Sequence, residues 1–352
     1  MSKKNIILLV ILILLGVSLL FVNISMSPVD KSDNTLRNFE VVKGATTNEV
    51  IDSLKKQKFI KNAEIAKLYA KIAHKTNMQA GVFQLKKSDN MITIIKHLND
   101  PANITGVSLT FIDGKRVTDY AKVVEEKLGI KQKDFLAKCN DKKFIATLKE
   151  KYELVKDYKF NNKAYYLLEG LLAPDTYVVS ADSSAETVIE MMVKQANSIY
   201  LQNKADIKKS KLSVHDIYTL ASIVDLEANS YEDRRAVASV FINRLNDDMP
   251  LGSDVTTYYG LKINVGDRDL TTAELAEENG YNTRSGMLGL PVGPICNPSI
   301  TSIRAVLNPK SGDNLYFVSD KNGKVYLAKT YEEHNKIIED LKSKNLWFTY
   351  DN

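Results

Sequence analysis

An acid occupies a helix position that should be apolar. Leu220-Ala221-Ser222-Ile223-Val224-Asp225-Leu226-Glu227 follows a Ser213 and Asp216 pair with the form of a capping box, so a helix is expected to start near Val214. At about 100° per residue, Leu226, Ile223, Leu220, Val224, Ile217, Ala228 and Ala221 fill one broad arc. Glu227 falls inside that arc, between Ile223 and Leu220, while Asp225 lands at its polar edge beside Tyr218. A carboxyl group among apolar neighbours loses hydration in its charged form, which raises its pKa and lets it donate a proton near neutral pH. General acid chemistry is therefore the first expectation for Glu227. A structural ion pair is the alternative, and Arg234, Arg235 and Arg244 are near enough in sequence to supply it.

Other polar groups cluster downstream. A helix expected from about Arg234 to Leu245 turns Val237, Val240, Phe241 and Leu245 inward and carries Asn243 and Arg244 near its end, where capping and surface pairing are the ordinary roles. Leu251 to Gly260 concentrates hydroxyls, a carboxylate and aromatic rings without apolar periodicity, and reads as a loop. Such a loop suits a polyol-binding groove, although turn chemistry accounts for it equally well. Tyr281-Asn282-Thr283-Arg284 and the Pro/Gly-rich run Gly289 to Pro298 set a rigid irregular path, either a binding loop or a structural crossover. His334, in the C-terminal helix, reads as a capping or packing residue. Four scattered histidines and two distant cysteines, Cys139 and Cys296, show neither zinc spacing nor a disulfide framework, and there is no Gly-rich phosphate loop.

The elements that must position these residues follow from pattern. Lys3 and Lys4 precede an apolar run from Ile6 to Val22, long enough with its margins for the roughly 20 residues that span a bilayer. The lysines place the N-terminus in the cytoplasm, and the absence of a small-residue cleavage site favours an uncleaved anchor over a signal peptide. Residues 1–26 are thus read as cytoplasmic tip and transmembrane anchor, and 27–37 as a polar tether. Residues 38–101 form a small α+β module: a strand at Phe39–Val42, a helix with Val50, Ile51 and Leu54 inward, a helix over Ala63–Ile72 with Ile65, Leu68, Tyr69 and Ile72 at helical spacing, a strand at Gly81–Leu85, and a helix through Met91 to Leu98. From 102 to 352 come a strand over Gly106–Ile112, a helix from Val117 to Leu128, a lysine-rich helical stretch at Gln132–Lys156, a short strand after Tyr177, and a long helix from Ala185 to Gln202. The helix bearing Glu227 follows, and a hairpin at Asn314–Val318 and Lys324–Leu327 precedes the last helix. The fold class is α+β. Of the 352 residues, 44% are hydrophobic and 26% charged, as in ordinary folded protein, and a net charge of +5 of mixed sign does not imply nucleic acid.

Taken in order and spacing, several segments resemble the endolytic murein transglycosylases, the MltG or YceG-like family, over nearly the whole chain. They are Leu220 to Glu227, Val237 to Leu245, Leu251 to Asp254, Tyr281 to Thr283, Gly289 to Pro298 and Leu315 to Val318. Three positions depart from the family pattern: Asp225 stands where the first of two motif glutamates is common, Val255 follows the Ser-Asp pair where proline is frequent, and Ala173 precedes Pro174 where Phe or Trp is frequent. The resemblance implies that 38–101 is a LysM-like module and 102–352 an α+β catalytic domain. It implies that Glu227, matching the second motif glutamate, is catalytic and that Asp225, in place of the first, supports it. Asn243, Ser253, Asp254, Thr256, Tyr281 and Asn282 are expected to line the substrate groove. The implied reaction is that of a lyase: non-hydrolytic cleavage of the β-1,4 bond after N-acetylmuramic acid in nascent peptidoglycan, giving 1,6-anhydromuramyl ends with no metal or cofactor. Expected partners are glycan strands, the membrane through the N-terminal helix, and the cell-wall synthesis machinery. The expected location is the cell membrane, single-pass, with the catalytic part outside. Two alternatives stand: a hydrolase pairing Glu227 with Asp225 or Asp254, and a non-enzymatic wall-binding scaffold in which Glu227 is half of a buried ion pair.

Overall fold

The computed structural model describes residues 3–347, beginning with the 24-residue helix α1 (Lys3–Met26) that carries the apolar run. Met1 and Ser2 of the expected cytoplasmic tip and residues 348–352 lie outside the described residues, as do the side chains of Lys3 and Lys4. Among the described residues no helix is long and apolar enough to cross a membrane. In α1, side chains are described without interruption only from Val10 onward.

The chain divides into two units. One takes in the chain up to Ser108 together with Val178–Asp182, and the other takes in Leu109–Tyr177 and the chain from Ser183. In the first, β1 (Arg37–Val41) leads to α2 (Thr47–Lys56), α3 (Ala63–Ile72), β2 (Gly81–Leu85), α4 (Met91–Leu98) and β3 (Ile104–Thr110). Side-chain caps start the helices: Thr46 and Glu49 make a reciprocal capping box on α2, Asn62 caps α3 and Asn90 caps α4. β1 and β2 pair antiparallel, Arg37 opposite Leu85 and Val41 opposite Gly81. Phe39, Ile51, Leu54, Phe83, Ile94 and Leu98 form the centre of the core. One helix face differs from expectation. On α3 it is Ala66 and Ala70 that are buried, while Leu68 is 54% and Ile72 70% exposed. Small side chains let α3 approach its neighbours closely, with Ile65 and Tyr69 partly buried against the core beside them.

The second unit continues with α5 (Val117–Leu128) and then α6 (Gln132–Cys139), α7 (Lys142–Lys151) and α8 (Glu153–Asp157). The lysine-rich stretch is therefore three short helices, interrupted where Asp141 caps α7 and Tyr152 turns extended. β4 (Thr176–Val179) returns the chain at Val178 to the first unit, whose four-stranded sheet has the order β1-β2-β3-β4. Next come α9 (Ala185–Lys209), α10 (Val214–Glu227), α11 (Tyr231–Asn246), α12 (Asp254–Gly260), α13 (Thr272–Ala276) and α14 (Ile300–Leu307). The antiparallel hairpin of β5 (Tyr316–Ser319) and β6 (Val325–Ala328) precedes α15 (Tyr331–Ser343). The fold is mixed α and β with antiparallel pairing, as the pattern indicated. Cys139 and Cys296 are separate, buried thiols.

Candidate active site

Helix α10 sets the site. Its start is the expected capping box, with Ser213 accepting from the Asp216 N–H and Asp216 accepting from the Ser213 N–H. Every residue from Ile217 to Asp225 is buried, because α11 and α14 pack against the helix. Glu227 is its last residue; Ala228 is extended (φ −147°, ψ 144°) and stops the helix there.

Asp225 is not at a polar edge. Its side chain is 1% exposed and pairs with Arg234 Nη2 at 3.0 Å. It also accepts from Ser299 Oγ at 2.8 Å, from the Ser299 N–H at 3.2 Å and from Ser302 Oγ. Arg234 in turn donates to the Ala228 carbonyl at 2.9 Å and to the hydroxyls of Ser299 and Thr301. Wheel geometry placed Asp225 correctly on the helix, but the N-terminus of α14 covers that edge. The pair locks the end of α10 to α11 and α14.

None of the three nearby arginines pairs with Glu227. Arg234 holds Asp225, Arg235 pairs with Glu232 at 3.2 Å, and Arg244 donates to backbone carbonyls. One hydrogen bond reaches Glu227, from Ser253 Oγ to Oε1 at 2.5 Å. The half-buried carboxyl lines a pocket of about 450 Å³. Burial pushes its pKa up to about 7; the Ser253 hydrogen bond opposes the rise, nearby Asp254 adds to it, and Arg284 opposes it. The partial negative charge at the C-terminal end of α10 also disfavours the carboxylate.

The other walls come from separate stretches. Leu251, Gly252, Asp254 and Val255 form one side; Arg244 and Arg284 form a cationic corner; Tyr316, Tyr331 and His334, with Asn335 and Ile338, supply the wall from β5 and α15. The rings of Tyr316, Tyr331 and His334 form a triangle with centroids 5.6 to 6.4 Å apart. Sequence reading passed over this wall. Its signal was present, since Tyr331, His334, Asn335 and Ile338 recur at i, i+3, i+4 and i+7 and share a helix face.

Of the expected groove residues, Asp254 lines the pocket with Glu227, while Ser253 is buried and reaches the pocket through its hydrogen bond to Glu227. Thr256, Tyr281 and Asn282 are fully buried, so they support its wall and do not line it. Thr256 Oγ1 donates to the Ser253 carbonyl at 2.6 Å and accepts from the Thr283 N–H at 3.1 Å. Asn282 Oδ1 accepts from Thr257 Oγ1 at 2.6 Å, and its Nδ2 donates to the Leu275 and Glu277 carbonyls. The Tyr281 hydroxyl accepts from the Tyr165 N–H at 3.1 Å. Asn243 also stands back, its Nδ2 holding the carbonyls of Gly312 at 3.0 Å and Asn314 at 2.9 Å ahead of β5. The stretch expected to be an open loop from Leu251 to Gly260 contains α12, buried from Val255 to Gly260, which erases the two-faced pattern a surface helix shows.

The Pro/Gly-rich run is a crossover. Ile295 N–H donates to Ser222 Oγ at 3.0 Å, and Asn297 Oδ1 accepts from the N–H groups of Gly170 at 2.9 Å and Leu172 at 3.2 Å. Gly170 has φ +82°, and a Cβ there would lie 2.5 Å from the Pro294 ring, so the crossover needs glycine at this point. Beside it sits Glu169, an acid missed in the sequence. It accepts from the Val117 N–H at 2.9 Å, Tyr259 OH at 3.0 Å and Asn297 Nδ2 at 3.3 Å. Burial pushes its pKa up to about 8. The cavity beside it is small, about 130 Å³. Among the described residues no set of His, Cys, Asp and Glu side chains converges to hold a metal.

The YceG-like family model matches residues 39–340. The chain is 35% identical over 336 residues to the endolytic murein transglycosylase of Bacillus subtilis, covering 95% of this chain and 92% of that protein. It is 31% identical over 341 residues to the protein of the same name from Streptococcus pneumoniae strain D39, covering 91% of this chain and 61% of that longer protein. A crystal structure of a yceG-like protein from Listeria monocytogenes superposes with a TM-score of 0.65 at 32% identity, covering 86% of this chain and 98% of that one.

Proposed function

The chain belongs to the YceG-like family, and from that premise we propose that it is an endolytic peptidoglycan lytic transglycosylase with Glu227 as its proton donor and acceptor. The observation that carries the reading is the state of Glu227: half-buried, raised to about 7, open to a pocket and held by a single serine. In the protonated form it gives its proton to the glycosidic oxygen between N-acetylmuramic acid and N-acetylglucosamine as that bond breaks. The resulting carboxylate takes the proton of the muramyl C6 hydroxyl as that oxygen bonds to the anomeric carbon. The products are an intact sugar hydroxyl and a 1,6-anhydromuramyl end, the acid is restored, and no water is consumed.

One carboxyl suffices because the nucleophile belongs to the substrate. A hydrolase would place a second carboxylate about 5–5.5 Å or 6.5–9.5 Å away. Asp225 is ill suited to that duty, since Arg234 and three donors from Ser299 and Ser302 occupy it. Asp254 shares the pocket, and product masses separate the two chemistries. Digestion of purified glycan strands is expected to give anhydro ends, lighter by one water than hydrolytic reducing ends, and to lose nearly all of them with Glu227→Gln. Reducing ends would make the protein a hydrolase; undiminished cleavage by the variant would remove Glu227 from the chemistry.

The proposal extends to place. Its support is the sequence, in which Lys3 and Lys4 precede the apolar run from Ile6 to Val22 carried by α1. Leu12, Leu14, Val17, Leu19 and Phe21 are exposed along it, as lipid-facing side chains would be. A single-pass anchor with a cytoplasmic N-terminus leaves the rest of the chain outside, at the membrane face where strands are extended, beside the synthesis machinery. The β1-α2-α3-β2 arrangement reads as a LysM-like module that contacts glycan. Protease protection of the full-length protein in sealed vesicles of known orientation tests the anchor, and full release into the soluble fraction would refute it.

A further inference from the structure

Two guanidinium groups meet at one corner of the pocket. Arg244 Nη1 donates to the Leu251 carbonyl at 2.7 Å and its Nε to the Leu315 carbonyl at 2.6 Å. Arg284 Nη1 donates to the Gly252 carbonyl, the next along, at 3.3 Å. Gly252 makes the arrangement possible: its φ is +63°, and a Cβ there would stand 3.2 Å from Arg244 Nη1. The charge of Arg284 is close enough to add to the burial that lowers the pKa of Arg244. Among the described residues a single acid pairs with either cation. Asp254 pairs with Arg284 at 3.2 Å, but the side chains are 56% and 42% exposed, a setting in which an ion pair is weak and readily exchanged. Backbone carbonyls take up hydrogen bonds without cancelling charge, and Glu227 is neutral when loaded with its proton. The corner therefore holds more positive charge than the protein neutralises.

The geometry points to the Arg244 and Arg284 corner as a binding site for a carboxylate carried on the lactyl arm of the muramyl sugar. That carboxylate is either the lactyl group itself or an acidic group of the peptide joined to it. The assignment rests on the transglycosylase reading, because Arg244 and Arg284 line the same pocket as Glu227, the acid that a muramyl glycosidic oxygen must reach. Guanidinium forks match the planar carboxylate and hydrogen-bond it more strongly than a neutral amide. Asp254 then acts as the internal anion that the substrate displaces. A neutral chitin-like strand lacks the group, so the corner selects muramyl strands by charge.

Binding is measured with the full-length protein carrying Glu227→Gln, so that strands are not consumed. Three strands of equal length serve as probes: one bearing acidic peptides, one stripped to the free lactyl carboxylate, and one with the lactyl group capped as a methylamide. At least one charged probe is expected to bind about tenfold or more tightly than the capped one, and the probe that does so identifies the carboxylate. Adding Arg284→Gln brings that probe to the level of the capped strand, and Arg284→Lys restores part of the difference. Adding Asp254→Asn tightens the charged probe by removing its competitor. Equal binding of all three probes, no binding by any, or an advantage that survives Arg284→Gln would overturn the assignment. Wild-type product masses report separately on the chemistry: anhydro ends with equal probe binding sink only the carboxylate site, and their absence sinks the transglycosylase reading.

Discussion

Glu169 and Glu227 are both acids that burial has pushed up, to about 8 and about 7, yet they do different work. Glu169 is 1% exposed, and its two oxygens accept from three donors that tie α5, α12 and the Pro/Gly-rich crossover together. Glu227 ends a helix, opens on the pocket and receives one hydrogen bond. A raised pKa records lost hydration; unused lone pairs beside open volume mark the group that can exchange a proton with a substrate.

The contrast can be broken most directly by exchanging each acid for its amide. Glu227→Gln is expected to lower strand cleavage by about 10² to 10⁴ with little change in thermal stability, because the amide oxygen can still accept the part-buried Ser253 hydrogen bond. Glu169→Gln should leave cleavage near wild type. Equal losses of activity in the two variants would erase the distinction.

Stability separates the structural acids next. Asp225→Ala leaves Arg234 without its carboxylate, a change that costs about 3–5 kcal/mol for buried pairs, read by denaturant unfolding. Glu169→Ala orphans three buried donors and is expected to cost about 1–3 kcal/mol or somewhat more, whereas Glu169→Gln keeps the shape and costs less. Its pH dependence has a definite sign. Between the ordinary 4.5 and the folded value of about 8, the folded chain keeps a proton that the unfolded chain releases. Stability thus falls as pH rises through that window and levels off above it. Glu169→Gln should flatten that slope in wild-type unfolding curves, and an unchanged slope would place the titration elsewhere.

The smallest effects sharpen Glu227 itself. As a general acid it must be protonated, so kcat/KM is expected to fall as pH rises through about 7. The Ser253 hydroxyl favours the carboxylate, so Ser253→Ala should move that limb to higher pH. Asp254 favours the protonated form, so Asp254→Asn should move it to lower pH. Shifts in the same direction would contradict the electrostatics assigned to the pocket.

Much of this was legible in residue order. Ala63–Ile72, Gly81–Leu85 and Val117–Leu128 appear with the expected bounds, because caps and turns delimit them and one face of each is apolar. The angular position of Glu227 among apolar neighbours was also readable, and it survives. The burial of Asp225 was not. Its cover, Ser299 and Ser302, comes from more than seventy residues downstream, and a helical wheel carries no information on such partners. Thr256, Tyr281 and Asn282 were picked for polarity, which a loop-locking residue shares with a ligand-binding one; only depth below the surface distinguishes them. Helix α12 escaped notice because burial on all sides removes periodicity.

Titration of the Glu227 carboxyl tests the central claim most directly. Carbon-13 NMR of glutamate-labelled protein, with Glu227→Gln as the subtraction standard, isolates one resonance. A midpoint near 7 is predicted from its burial. A midpoint at the ordinary 4.5 would mean a hydrated carboxylate at working pH, with no proton to give to the glycosidic oxygen.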